Sequence, residues 1–289
     1  MEILERMPML LVAWVGLVGL MVGSFLNVVI HRLPLMMERG WRRECLQFLG
    51  QTEEAAAPVE VFNLAWPGSH CPHCGKSIRL WENIPLLSYV WLKGRCSGCG
   101  AGIAWRYPLV EALSAVLSVG VALKFGYSAT LLPALLLTWS LLALSFIDLD
   151  RQLLPDAIVL PVLWLGLLLS IPGLFTGSAS SILGAAAGYL SLWGVYQGFK
   201  LLTGKEGMGY GDFKLLAMLG AWLGWQLLPL IILLSSVVGT VVGIAMITLA
   251  GHDRRQPIPF GPYLAAAGWL AMMWGDAMTA AYLRWLGLG

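Results

Sequence analysis

Two aspartates and four cysteines are the residues of this chain best placed to do chemistry. Asp148 ends a long apolar run, in LLALSFIDLDRQLLPD, and Asp212 opens another, in GKEGMGYGDFKLLAMLG. An ionisable group inside or at the end of a membrane span is costly and marks a functional site by default. Two such acids, if they converge, form a shared-proton pair, the machinery of aspartic proteolysis. The cysteines fall in two octets, CPHCGKSI at 71–78 and CSGCGAGI at 96–103. Each octet reads Cys, two residues, Cys, Gly, two residues, Ile, which makes Cys71, Cys74, Cys96 and Cys99 a ligand set. The glycine after each second cysteine gives a tight turn that aims both sulfurs at one ion. Four thiolates suit a structural zinc; tetrahedral sulfur also suits iron, and zinc is the expectation. His73, between two ligands, is expected to be a bystander, and Cys45 a free thiol.

The elements that carry these residues follow from composition. The chain has 289 residues, 58% hydrophobic and 12% charged, with a mean hydropathy of +0.76. A soluble domain carries about 25% charged residues, so this reads as a polytopic membrane protein. A net charge of +2 gives no argument for nucleic acid. The N-terminal MEILERM is acidic and no small-residue cleavage site follows, so the first apolar run is expected to be a retained helix. Apolar runs give eight candidate spans, 8–30, 107–124, 129–147, 154–173, 180–201, 211–224, 227–250 and 260–283. The sixth and seventh are separated so slightly that they could form one broken helix. The expected fold is therefore all-α, with about eight transmembrane helices and a small cytoplasmic zinc-knuckle domain inserted after the first. Its divisions are a first helix in 1–30, the knuckle domain in 31–106 and a transmembrane core in 107–289. Residues 51–60 read as an exposed, flexible excursion. Gly19 and Gly23, Gly184 and Gly188, Gly220 and Gly224, and Gly239 and Gly243 are spaced for close helix packing.

Orientation comes from Lys and Arg. With the N-terminus outside, only Arg6, Lys124 and Arg284 of the 18 basic residues lie outside. The inside then holds Arg32, Arg39, Arg42, Arg43, Lys76, Arg79, Lys93, Arg95, Arg106, Arg151, Lys200, Lys205, Lys214, Arg254 and Arg255. Leaving out the long first loop, six inside residues still outnumber three. Asp148 and Asp212 then lie at similar depth on the cytoplasmic face. The cysteine segment lies in a reducing compartment, which disfavours disulfides.

Neighbouring acids have plainer explanations. Asp156 follows Pro155 as a first-turn acid of the next helix, Asp150 sits beside Arg151 on an interfacial turn, and Glu206 belongs to a solvated loop. Asp212 follows three glycines in GMGYGD. An N-cap role would explain the aspartate but not the glycines, which permit unusual backbone or close approach.

In these stretches the chain resembles the type IV prepilin peptidases, bifunctional leader peptidases and N-methyltransferases of the GxGD aspartyl protease type. The resemblance covers nearly the whole chain: GSFLNVVIHRLP at 23–34, the paired knuckles, RYPLVE at 106–111, IDLDRQLLPD at 147–156, GKEGMGYGDFKLLAMLGAW at 204–222 and PIPFGPYLAAAGW at 257–269. It implies that Asp148 and Asp212 are the catalytic pair. It also implies a location in the bacterial inner membrane, with the active site facing the cytoplasm and lipid around the spans. The implied substrates are type IV prepilins and type II secretion pseudopilins, cut after Gly behind a short basic leader. The implied second step transfers a methyl group from S-adenosylmethionine to the new N-terminal residue, usually Phe. No Rossmann-type glycine fingerprint identifies residues for that donor. The zinc is expected to order the cysteine segment.

Two other readings remain open on the residues alone. A presenilin-type intramembrane protease would place its acids deeper in apolar helices. A proton- or metal-coupled transporter would show inverted repeats and acids near the midplane.

Overall fold

A computed structural model of the chain describes residues 7–51, 61–249, 258–285 and 287. Of the expected excursion at 51–60 only Gln51 is included; the rest lies outside the described residues, as do Arg6, Arg254 and Arg255. The chain divides into two compact units, Met1–Tyr127 and Ser128–Gly289.

The first unit contains α1 (Pro8–Phe48), a 3-10 turn (Leu80–Asn83), the short α2 (Leu87–Trp91) and α3 (Arg106–Phe125). Pro8 opens α1, where its missing N–H costs nothing. The helix was expected to end near Ile30 but runs on to Phe48, absorbing Pro34. Residues 35–48 are rich in Leu, Met, Glu, Arg and Gln, all good helix formers. The apolar run marks where lipid-compatible sequence stops, whereas the hydrogen-bond ladder stops later. The packing of α1 on α3 uses the expected small residues. A Cβ added to Gly23 would lie 2.7 Å from Glu111 Cα, and Ser114 Oγ donates to the Gly19 carbonyl at 2.6 Å.

Two buried charges hold the cysteine segment to this helix pair. Arg32 of α1 donates to the carbonyls of Asn63 at 3.0 Å and Pro67 at 2.6 Å. Glu111 of α3 accepts the N–H of Leu86 at 2.8 Å. Leu86 has φ +59°, a left-handed conformation rare outside glycine, and this hydrogen bond helps to hold it there.

The second unit contains α4 (Leu131–Arg151), α5 (Asp156–Leu169), α6 (Ser178–Thr203), α7 (Tyr210–Leu223), α8 (Leu228–Leu249) and α9 (Gly261–Trp285). Helix α7 has only 14 residues, yet Asp212, Phe213 and every residue from Leu215 to Leu223 are buried. It is the centre of this unit, with α5, α6 and α9 packed around it. Helix α6 reaches it backbone to backbone. A Cβ on Gly184 would collide with the Gly220 carbonyl, and one on Gly188 would lie 2.6 Å from the Leu216 carbonyl oxygen. At the far end Trp222 Nε1 donates to the Val162 carbonyl at 2.8 Å, with Gly166 leaving room for the indole. The possible broken helix resolves into two: Gly224, at φ +84°, ends α7, and a 3-10 turn at Trp225–Leu227 leads into α8.

Among the described residues no strand forms, and four segments are long and apolar enough to cross a membrane: Pro8–Phe48, Arg106–Phe125, Leu131–Arg151 and Trp225–Leu249. The chain is a multi-pass, mostly helical membrane protein.

The α6–α7 crossing has a testable consequence. Gly184→Val is expected to lower stability by about 2 kcal/mol or more, because backbone atoms cannot give way. Gly194→Ala, where an added Cβ meets nothing, is expected to leave stability within about 1 kcal/mol. Unfolding midpoints in detergent micelles would compare the two.

Candidate functional site

The second unit brings Asp148 and Asp212 together. Asp148 lies in the last turn of α4, which Gln152 ends in a left-handed conformation. Asp212 lies in the first turn of α7, behind the N-cap Gly209. The two residues are buried, 5% and 8% exposed, and near enough for the charge of Asp148 to bear on Asp212. A third element completes the site. Gly261, the first residue of α9, donates its N–H to Asp148 Oδ2 at 3.0 Å. A carboxylate at a helix N-terminus faces unpaired N–H groups and the positive end of the dipole.

Space, rather than backbone freedom, explains Gly207, Gly211 and Gly261; at Gly209 an added Cβ would make only an ordinary 3.9 Å contact with Asp212 Oδ2. Gly207, Gly209 and Gly211 all avoid the left-handed region. A Cβ on Gly211 would lie 2.9 Å from Leu154 Cβ, and one on Gly207 2.9 Å from the Phe199 ring. A Cβ on Gly261 would lie 2.7 Å from Asp148 Oδ2 and 3.2 Å from Leu154 Cδ2. Leu154 is thus a buried wedge between the glycines that begin α7 and α9. Gly261 and Leu154 were not singled out from sequence, although both sit in quoted motifs. The signal for Gly261 was a glycine between Phe260 and Pro262 at the start of an apolar run.

The other acids stay apart from this pair. Asp156 opens α5 as expected and bonds Lys214 Nζ at 2.7 Å. Asp150 is exposed. Glu206 pairs with Lys200 at 2.8 Å, and that ammonium holds its carboxyl below the usual range.

The first unit brings the four predicted cysteines together. The sulfurs of Cys71, Cys74, Cys96 and Cys99 all lie within 4.8 Å of one another. Cys71 and Cys99 are 3.9 Å apart, and Cys74 and Cys96 4.0 Å. Metal–sulfur bonds of about 2.3 Å in a tetrahedron require sulfurs about 3.8 Å apart. The thiols are free rather than bridged, so this donor set fits a tetrahedral metal.

The octet repeat is also a structural repeat. Cys71 N–H bonds the Lys76 carbonyl and Gly75 N–H the Cys71 carbonyl, both at 2.9 Å. Cys96 with Ala101, at 2.8 Å, and Gly100 with Cys96, at 2.9 Å, repeat the pattern. Gly75 and Gly100 take φ of +69° and +72°, the left-handed turn that the spacing called for. Backbone N–H groups of Cys99 and Gly98 pull the Cys96 thiol down to about 6; at Cys74 the backbone bond to Lys76 pulls the same way, but desolvation and the other three sulfurs push the thiol up to about 11. His73 is not in the cluster, and Cys45 is an exposed free thiol.

Comparison with known proteins gives a consistent result. Residues 17–125 match the bacterial peptidase A24 N-terminal domain, and residues 135–244 match the type IV leader peptidase family. A prepilin leader peptidase/N-methyltransferase from Stutzerimonas stutzeri is 57% identical over 283 residues, 98% of this chain and 97% of that protein. The protein of the same name from Aeromonas hydrophila is 56% identical over the same shares of both chains. That from Dickeya chrysanthemi is 47% identical over 89% of this chain and 90% of its own. No solved structure gives a significant match.

Proposed function

The chain belongs to the type IV leader peptidase family, and we propose that Asp148 and Asp212 are its catalytic pair. It is a leader peptidase and N-methyltransferase, as its full-length relatives are named. The observation that carries the catalytic assignment is the convergence of two buried carboxylates from the ends of different helices.

Two carboxylates brought close enough to feel each other's charge share one proton. The ionised one draws a proton from a bound water, which attacks the scissile carbonyl. The protonated one polarises that carbonyl and then delivers a proton to the leaving amine. The Gly261 N–H orients Asp148 for this work, and Leu154 fixes the spacing of α7 and α9. The substrates in this reading are type IV prepilins and secretion pseudopilins, cut between Gly and, usually, Phe. The apolar runs support eight spans, and the excess of Lys and Arg supports an orientation that puts the acids at the cytoplasmic face of the inner membrane. A cut at the membrane surface fits acids at helix ends better than a presenilin-type cut within a span does.

Cys71, Cys74, Cys96 and Cys99 hold a structural zinc that ties the two knuckles into one piece. In the second activity S-adenosylmethionine supplies the methyl group for the new N-terminal amine. The proposed divisions are a first span in 1–30, the zinc-bearing segment in 31–106 and the peptidase core in 107–289.

Asp148→Asn and Asp212→Asn are each expected to slow leader removal by at least about 10²-fold while the protein still folds. Mass spectrometry of a prepilin-like substrate would read leader loss and, with S-adenosylmethionine added, the gain of a methyl group. Normal processing by either variant would sink the assignment. Gly261→Ala should slow cleavage by up to about 10²-fold through displacement of Asp148. Cleavage at the normal rate would remove Gly261 from the site. Elemental analysis should find zinc on the purified chain and its loss in Cys71→Ser and Cys99→Ser; undiminished zinc in both would reject the ligand set.

A further inference from the structure

We propose that α2, Leu87–Trp91, lies in the headgroup region of the membrane, its apolar face turned into an anionic lipid surface. Leu87, Val90 and Trp91 are spaced to share one face of this short helix. They are 66%, 74% and 87% exposed, whereas Ser88 and Tyr89 are turned partly inward. The helix therefore shows its most apolar side outward, the reverse of a helix packed on a water-soluble domain. Such a face marks an interaction surface.

The tethering of the segment chooses the occupant. On its N-terminal side runs α1 and on its C-terminal side α3, both long and apolar enough to cross the bilayer. Trp105 and Tyr107, where α3 begins, are exposed at 70% and 46%, as aromatic anchors at a membrane interface are. The Leu86 N–H, at the start of α2, bonds Glu111 near the beginning of α3 at 2.8 Å, which puts α2 beside these anchors and within reach of lipid. Charge agrees with this. Lys93 and Arg95 follow the helix directly and are exposed. Basic residues beside a shallow apolar face give the attraction to anionic headgroups that interfacial helices use. The helix would dip into the interface without spanning it, since five residues are far too few to cross.

The test uses the full-length protein in vesicles of phosphatidylethanolamine and phosphatidylglycerol. A photoreactive p-benzoylphenylalanine replaces Val90, Trp91 or, as a control in the exposed knuckle, His73. After irradiation, mass spectrometry identifies what each position has captured. Positions 90 and 91 are expected to capture lipid and position 73 not to. Yield should fall several-fold when phosphatidylcholine replaces all other lipid. Capture of residues 128–289, of a second copy or of substrate in place of lipid would overturn the proposal, as would equal lipid capture at position 73. A yield indifferent to lipid charge would overturn its anionic part. Leader removal by the same labelled proteins shows that they are folded, and it keeps a failed lipid contact separate from a failed peptidase assignment.

Discussion

Helices α6 and α7 cross with no side chain between them, Gly184 against Gly220 and Gly188 against the Leu216 carbonyl. In lipid, no hydrophobic force distinguishes a neighbouring helix from a neighbouring acyl chain, so close packing must do so. Backbone contact at this crossing draws a 14-residue helix into the interior of its unit. Trp222 ties one end of α7 to α5, and Leu154 sits against Gly211 at the other. The carboxylate in the first turn of α7 is buried with it, although Tyr210 in the same turn is 51% exposed.

That burial works against stability. The effective penalty for taking an ion out of water is several kcal/mol. A helix N-terminus returns about 0.3–1 kcal/mol, and up to about 2 in the best geometries. The Gly261 N–H and the start of α7 therefore offset part of the cost but not all of it. Two acids held this way against their own repulsion suit the proposed catalytic role and have no structural benefit to explain them. Asp156, by contrast, is exposed enough to pair with Lys214, and an ion pair of that kind is worth about 0–1 kcal/mol.

The first unit solves a different problem. Between α1 and α3 lies a segment too short and too polar to build a core of its own. Its order comes from two matching knuckles, each closed by a left-handed glycine, and from Arg32 and Glu111, which bind its backbone. Four sulfurs at tetrahedral spacing then link the knuckles to each other.

Much of this was legible in the order of residues. Asp148 and Asp212 showed themselves because charge is rare and costly in an apolar chain. The cysteines showed themselves because a ligand set is written in short spacings. Helices α4 to α9 followed from runs of apolar residues between turn signals, for the same local reason. The length of α1 did not, since polarity changes at Ile30 while helix propensity continues to Phe48. Nor did Leu154 or the hydrogen bond from Gly261 to Asp148, which joins residues 113 positions apart. Sequence by itself determined which side chains are chemically unusual, because that depends on local polarity and charge. Only the tertiary structure decided which of them meet, because lateral neighbours in a helical membrane protein are chosen by the fit of small residues and backbones between distant helices.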